Sequence, residues 1–289
     1  MSVSVPEKTF EHWVSQYILY RFRSKALLWW PAFGADVLTG GLPRRPGKAV
    51  SFELKTTTTT GGNPNRHHID IDLGQLWNYV NHPLGLQPFY VFPIPNWSGS
   101  LDTFARRRGM HVTDLAFRRS GSNWWFANWT VAMPARDVAK VLAGPLKRHG
   151  SPNLGVRERL LTIDVDPSKR TRIVHWAATP SRPLVQWREF WDRIQECGAI
   201  DWPQRIVVAA DALPRAKSSL SYQEARAALV WDMGGEQNAE LVILDLVEPN
   251  QYVVRERLTT AVFEVDESAD GQGYDHRAVV FMDATLLSR

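Results

Sequence analysis

The stretch that most constrains the fold of this chain is residues 49–57, where apolar and polar residues alternate. Every second position is apolar: Val50, Phe52 and Leu54. This is the pattern of a β-strand with one buried face. Side chains two apart on a strand point the same way, so Glu53 and Lys55 are expected side by side on the face opposite the core. A carboxylate and an ammonium in this arrangement form either a structural ion pair or half of a hydrolytic metal site.

A second acidic residue is expected near this strand. Asp36 precedes Glu53 by 17 residues, and a loop rich in Gly and Pro over residues 40–48 joins the two segments. Short apolar runs separated by Gly and Pro predict an antiparallel hairpin. Such a hairpin would bring Asp36 close to Glu53.

Helices are predicted on both sides of the hairpin. Before it, apolar residues recur at i, i+3, i+4, i+7 and i+8, the spacing of an amphipathic helix: Phe10, Trp13, Val14, Tyr17 and Ile18. Glu11 lies at the edge of this apolar stripe, and Glu7, one turn earlier, lies nearer its centre. After the central strand a second helix is predicted from Gln75, and it must end before Pro83.

This order of elements resembles the PD-(D/E)xK nuclease superfamily, in its RecB-like and junction-resolvase-like branch. The residues that carry the resemblance are Phe10-Glu11, Asp36, Glu53-Leu54-Lys55 and Gln75-x-x-x-Tyr79. It covers residues 7–95 and departs from the family pattern at Ala35, because the proline falls earlier, at Pro31. The implied fold is α/β, a restriction-endonuclease-like mixed sheet flanked by helices.

The resemblance also implies a function, that of a metal-dependent endonuclease that hydrolyses phosphodiester bonds of DNA. Mg²⁺ or Mn²⁺ would be held by Asp36, Glu53 and the carbonyl of Leu54, which are the hard oxygen ligands such ions prefer. Glu11 would add a ligand directly or through water, with Glu7 as its alternative.

Two further residues have catalytic roles by the same resemblance. Lys55 would orient the attacking water or stabilise charge on the phosphate. Gln75 would position the phosphate or the nucleophile. The catalytic set expected from the sequence is Glu11, Asp36, Glu53, Lys55 and Gln75.

Two other functions stay open. A nuclease-like fold can hold nucleic acid or a protein partner without cutting, although the joint presence of Asp36, Glu53 and Lys55 favours an intact catalytic centre. In an unrelated α/β protein, Glu53 and Lys55 would be a structural ion pair. No G-x-x-x-x-G-K-[ST] phosphate loop and no G-x-S-x-G nucleophile motif occur, so the sequence gives no indication of an ATPase or an α/β-hydrolase.

The tandem histidines His67 and His68 precede two acidic residues, Asp70 and Asp72. Their spacing matches no zinc-ligand pattern. The favoured interpretations are loop histidines that touch substrate phosphate or have no role in the chemistry.

Charge is unevenly distributed along the chain. Residues 1–150 carry 18 Lys and Arg against 9 Asp and Glu, whereas residues 151–289 carry 16 against 21. A basic half that contains the candidate centre suits a phosphate backbone, because each contact with Lys or Arg releases counterions. The predicted DNA-binding residues are Arg44, Arg45, Lys48, Arg106, Arg107 and Arg108. The alternative is a solvated cationic surface.

Aromatic residues crowd residues 96–132 among the arginines. Such side chains can stack unpaired bases, or they can fill the core of the nuclease-like domain. For the run 123–131 the core is the favoured interpretation, although its aromatic residues cannot all share one face.

A chain of 289 residues is long enough for two domains. A Gly/Pro/Asn cluster at residues 150–153 predicts a nuclease-like domain over 1–150 and an accessory α/β or α+β domain over 151–289. The second would serve specificity, a protein partner or homodimerisation. No apolar run approaches the ~20 residues of a membrane helix, no secretion signal is visible at the start, and Cys197 stands alone. The expectation is a cytoplasmic protein that binds no membrane.

Overall fold

A computed structural model gives the fold of the chain. It describes residues 2–29, 46–59, 63, 65–81, 87–97, 99–112, 119–120, 123–148, 160–166, 173–176, 184–196, 205–214, 217–230, 241–248, 251–258 and 277–286. The chain is an α/β protein in which helices flank a mixed sheet and a smaller antiparallel sheet. The predicted fold class, an α/β mixed sheet flanked by helices, is confirmed.

Helices are interspersed among runs of up to four strands along the chain. In order they are β1 (Ser2–Val3), α1 (Glu7–Phe22), β2 (Ala26–Trp29), β3 (Gly47–Leu54), β4 (Thr58–Thr59), β5 (Arg66–Asp70), α2 (Leu73–Asn81), β6 (Phe89–Pro93), α3 (Leu101–Arg107), β7 (Arg119–Ser120), β8 (Asn123–Trp124), β9 (Thr130–Pro134), α4 (Ala135–Val141), α5 (Ala143–Lys147), β10 (Leu160–Asp166), β11 (Ile173–Trp176), β12 (Val185–Gln186), α6 (Trp187–Gln195), β13 (Arg205–Ala209), β14 (Ser219–Ser221), α7 (Tyr222–Val230), β15 (Leu241–Glu248), β16 (Gln251–Leu258) and β17 (Arg277–Asp283). A 3₁₀ turn, Trp125–Trp129, connects β8 to β9.

The chain divides into two compact units, each built from two stretches of sequence. Unit 1 comprises Met1–Tyr17 and Glu53–Phe190, and unit 2 comprises Ile18–Phe52 and Trp191–Arg289. This division does not coincide with the predicted boundary near residue 150, because unit 1 continues well beyond it. The roles predicted for residues 151–289 in specificity, partner binding or homodimerisation stay predictions.

Unit 1 contains a sheet in the order β1-β4-β5-β10-β11, antiparallel at every pair. Strands β10 and β11 are antiparallel neighbours, as the turn residues Asp166, Pro167, Ser168 and Lys169 between them predict. Strand β10, from beyond the predicted boundary, pairs with β5 in a register that sets Leu161 opposite Ile69. Strands β12, β9 and β6 are also antiparallel neighbours, and the N–H of Lys55 donates to the carbonyl of Val91 in β6 at 3.1 Å.

Apolar spacing explains how unit 1 packs. The stripe predicted on α1 is buried, with Phe10, Trp13 and Val14 at most 1 % exposed. A second apolar cluster joins α2 and α4 to the strands of the unit. Its members include Ile69, Ile71, Leu73, Leu76, Tyr79, Tyr90, Phe92, Ile94, Val131, Met133, Val138, Leu161 and Ile163. This packing fixes α2 over the strands, which positions the candidate site.

Unit 2 contains strands in the order β3-β13-β15-β16-β14, and β17 pairs with both β2 and β3. Helix α7 packs against an apolar cluster of this unit that includes Ile206, Val208, Leu220, Ala225, Leu229, Val242, Leu244 and Tyr252. The hairpin predicted to carry Asp36 lies outside the described residues. The strand that precedes it, β2, is antiparallel to β17.

The prediction that β3 has one solvent-facing side is wrong. All eight of its residues are buried, Ser51 at 1 % and Glu53 at 0 % exposed. Aromatic side chains cover the strand. In unit 2 the ring of Trp191 contacts Phe52, with centroids 5.7 Å apart, and in unit 1 Tyr79 contacts Glu53.

The threonine run after β3 belongs to the sheet of unit 1. Thr58 and Thr59 form β4, which pairs with β1 and β5, and the Thr57 hydroxyl donates to the carbonyl of Pro93. Within the described part of the chain, no helix is long and apolar enough to cross a membrane.

Candidate functional site

The carboxylate of Glu53 is the centre of the candidate site. Its side chain is 0 % exposed, at the end of β3. The hydroxyl of Tyr79 donates to Oε2 at 2.7 Å. The ammonium of Lys55 lies 2.6 Å from Oε1, and its side chain is 16 % exposed. The sequence therefore correctly places Glu53 and Lys55 together, and the structure adds a phenol on the second oxygen.

Local structure explains how these three groups meet. The alternation of β3 sends Glu53 and Lys55 to the same side, and the bond from Lys55 to Val91 holds the end of the strand against β6. Asp72 caps the start of α2, where its Oδ1 accepts from the N–H of Gln75 at 3.0 Å. Helix α2 then carries Tyr79 to Oε2 of Glu53.

A buried carboxylate is stable only when it is paired and hydrogen-bonded. Lys55 supplies the opposite charge and Tyr79 supplies the hydrogen bond, so both oxygens of Glu53 have a contact. A buried ion pair of this kind is weak evidence for stability, because desolvation offsets the attraction.

Tyr90 is a further residue of the site that sequence reasoning missed. It lies on β6, is 0 % exposed, and its hydroxyl has no hydrogen-bond partner among the described residues. Burial raises the pKa of this hydroxyl, and the negative charges of Glu53 and Asp72 raise it further. The phenol therefore keeps its proton and remains a donor. A Tyr inside an apolar strand was the available signal, because a buried hydroxyl usually needs a partner.

Gln75 stands one turn before Tyr79 on α2, and residues four apart share a helix face. Its side chain is partly buried, and its backbone N–H is bound by Asp72. The structure thus places Gln75 on the helix that delivers Tyr79 to Glu53. Its predicted role in positioning phosphate stays a prediction.

Glu11 is buried at 8 % exposure on α1. Both of its carboxylate oxygens accept from the ammonium of Lys8, at 3.2 and 2.8 Å. The hydrogen bonds described for its side chain therefore go to its own helix and not to the group around Glu53. Glu7, the alternative, is partly buried in the first turn.

Three of the residues predicted for the site lie outside the described residues: Asp36, Arg44 and Arg45. Their predicted roles as metal ligand and phosphate contacts stay predictions. The backbone of Leu54 lies in β3, between Glu53 and Lys55, and its carbonyl as a metal ligand is likewise untested.

Lys48, in contrast, is not available to a phosphate backbone. It is 0 % exposed, and its ammonium donates to the carbonyls of Ile194 at 3.0 Å and Glu196 at 2.5 Å. These carbonyls lie at the C-terminal end of α6, where a cation is favourable. The prediction that Lys48 contacts DNA is therefore corrected, because its ammonium is hydrogen-bonded inside unit 2.

The arginines at the end of α3 are exposed, as the predicted DNA contact requires. Arg106, Arg107 and Arg108 all face solvent. Arg106 forms an ion pair with Asp102 one turn earlier on α3. The guanidinium of Arg108 lies 5.8 Å from the centroid of the Phe104 ring.

The described residues alone do not make a complete metal site. Among them, no group of three or more His, Cys, Asp or Glu side chains is close enough to hold a metal ion. Glu53 provides one carboxylate, which is the correct donor type for Mg²⁺. A metal ion at Glu53 would therefore need ligands from outside the described residues, and Asp36 is the ligand that the sequence predicts.

The tandem histidines belong to strand β5 and not to a loop. His67 is 0 % exposed, and Nδ1 of His68 lies 3.0 Å from the hydroxyl of Thr162 on β10. Burial lowers the pKa of His68, as does the charge of Arg66, while Asp164 opposes the shift. Pairing of β5 with β4 and β10 is the reason that the loop interpretation is wrong.

Comparison of the chain with protein-family models, with curated proteins and with solved structures finds no match.

Proposed function

We propose that this chain is a metal-dependent nuclease that hydrolyses phosphodiester bonds of DNA at a centre built on Glu53 and Lys55. The observation that carries the proposal is the buried Glu53 carboxylate, held between the Lys55 ammonium and the Tyr79 hydroxyl at the end of a central strand. The order of acidic strand, Glu-x-Lys strand and Gln/Tyr helix that resembles the PD-(D/E)xK superfamily supports it.

Asp36, Glu53 and the carbonyl of Leu54 would hold Mg²⁺ or Mn²⁺. Such an ion, when bound, polarises the scissile phosphate and lowers the pKa of a bound water. The donor chemistry fits, because two carboxylates and a carbonyl are hard oxygen ligands.

Lys55 would contact the phosphate of the substrate. An ammonium has three N–H donors, so Lys55 can keep its ion pair with Glu53 while one N–H contacts a phosphate oxygen. Its partial exposure of 16 % gives solvent, and hence substrate, a route to that charge. Tyr79 fixes the orientation of the carboxylate, and Gln75 on the same helix face would hold the phosphate or the nucleophile.

Charge outside the centre supports DNA as the substrate. Residues 1–150 have an excess of nine basic residues, and Arg106–Arg108 are exposed on unit 1. Lys and Arg side chains at a surface bind phosphates with an affinity that falls as salt rises.

A second function, binding of DNA without cleavage, has an observation in its favour. The Glu53 side chain is 0 % exposed, and it belongs to no group of three or more His, Cys, Asp or Glu side chains among the described residues that could hold a metal ion. A carboxylate buried in this way can have a purely structural role in a protein that binds nucleic acid without cutting it.

Incubation of the wild-type protein with supercoiled and linear duplex DNA separates the two functions. We expect cleavage in Mg²⁺ or Mn²⁺ and none in EDTA, because the ion is required for the chemistry. Gel electrophoresis measures the products. DNA binding in EDTA with intact DNA in every metal would contradict the nuclease proposal and favour the binding function.

A further inference from the structure

Three aromatic rings of unit 1 lie nearly parallel and in mutual contact. Trp97 lies 4.3 Å from Phe104 and 5.3 Å from Trp125, measured between ring centroids, with interplanar angles of 20° and 10°. Phe104 and Trp125 are 5.6 Å apart at 11°. We call this group the aromatic stack. Aromatic pairs in cores use edge-to-face as well as stacked contacts, so three nearly parallel rings are a specific arrangement.

The core holds the aromatic stack rigidly from one side. Trp97 is 7 % exposed. The ring of Trp129 meets Trp97 edge-on at 5.3 Å and Trp125 at 5.2 Å. Trp13 of α1 also contacts Trp125 edge-on, at 6.2 Å. The ring planes are therefore fixed before any ligand binds, which reduces the entropy lost on binding.

Part of the aromatic stack is accessible to solvent and lies beside cationic side chains. Phe104 and Trp125 are only partly buried, unlike Trp97. The exposed guanidinium of Arg108 lies near the Phe104 ring, at the end of a helix that also presents Arg106 and Arg107 to solvent. Partly exposed rings beside a cluster of Arg side chains are the combination that binds single-stranded nucleic acid.

We propose that the aromatic stack binds unpaired bases of a DNA strand, with Arg106–Arg108 on the adjoining phosphates. This inference rests on the proposed function only in that it takes DNA as the ligand. It assigns the Phe104 and Trp125 rings to base stacking, and it makes single-stranded or unwound DNA the form that the chain holds. The duplex is a poorer ligand for this surface, because its bases are already stacked on one another.

Two substitutions at one ring test the proposal. Phe104→Leu removes the ring and keeps an apolar side chain of similar size, whereas Phe104→Tyr keeps the ring. The probe is a fluorescein-labelled oligothymidylate of about 20 nucleotides, in EDTA, with fluorescence anisotropy as the measurement. We expect Phe104→Leu to weaken binding about tenfold, the size of one lost base–aromatic stack, and Phe104→Tyr to bind like the wild type.

Controls separate stacking from loss of fold and from general DNA binding. Tyr20→Leu removes an aromatic residue of 58 % exposure outside the stack and should leave affinity unchanged. Affinity of Phe104→Leu for a blunt duplex should stay within about twofold of wild type, because phosphate contacts remain. Melting temperatures of all variants verify folding.

Each outcome decides the proposal. An equal loss for single strand and duplex, an unchanged affinity in Phe104→Leu, or failure of the wild type to bind the oligonucleotide would overturn it. If the wild type binds in EDTA and Phe104→Leu does not, but neither cleaves DNA in Mg²⁺, then the nuclease function fails while base stacking stands. If the wild type cleaves and Phe104→Leu binds normally, only the stacking proposal fails.

Discussion

The Glu53→Gln protein is expected to cleave DNA at least about a hundredfold more slowly than the wild type in Mg²⁺, the order of effect of removing one electrostatic group from an active centre. The amide keeps the shape of the side chain and can still accept from Tyr79, but it lacks the charge that would hold the ion and that pairs with Lys55. Initial cleavage rates on the same plasmid preparation measure the effect.

A matched control is Glu189→Gln, which neutralises an exposed carboxylate on α6 and should leave the cleavage rate unchanged. Duplex binding by Glu53→Gln in EDTA should equal that of the wild type. Because the substitution leaves the Lys55 ammonium without its partner in a buried site, its melting temperature should be measured as well. Equal cleavage by Glu53→Gln and wild type would exclude Glu53 from the chemistry.

Gly47→Ala is expected to destabilise unit 2 by about 3 kcal/mol. A Cβ at this position would overlap the carbonyl oxygen of Met282 and the ring of Phe281. The ring could turn, but the carbonyl belongs to the backbone of β17, and the strands would have to separate. The corresponding fall in melting temperature is about 6–12 °C, measured by circular dichroism.

Gly144→Ala is the control for this substitution. A Cβ at Gly144 meets no atom within 4 Å, and stability should change by less than about 1 kcal/mol. A melting temperature of Gly47→Ala within 2 °C of wild type, well inside the expected fall, would contradict the close approach of Gly47 to β17.

Local patterns in the sequence predict several of the elements. The alternation over residues 49–57 gives β3, the apolar spacing gives α1, and the turn residues at 166–169 give the hairpin of β10 and β11. Each of these depends on residues close together in the chain, where propensity and periodicity act directly. The pairing of Glu53 with Lys55 follows from the same rule, since it needs only the two-residue repeat of a strand.

Contacts between distant segments could not be predicted in this way. The pattern of β3 shows which residues share a face, but not that Tyr79 covers Glu53. Lys48 adjoins Arg44 and Arg45 in sequence. Its buried ammonium nevertheless donates to a carbonyl at the end of α6, about 150 residues later in the chain. Likewise, β10 joins the sheet of unit 1 through pairing with β5. Residues close together in the sequence give no indication of these distant partners.

Iron-mediated cleavage of the protein itself tests most directly whether Asp36 and Glu53 hold one metal ion. Fe²⁺ in the site would react with added peroxide and ascorbate to give hydroxyl radicals, which cut the nearest backbone. The masses of the fragments are expected to place cuts near residues 36 and 53 in the wild type, suppressed by excess Mg²⁺ and absent in Glu53→Gln. Cuts confined to other segments, or the same fragments from Glu53→Gln, would contradict a metal centre shared by these two carboxylates.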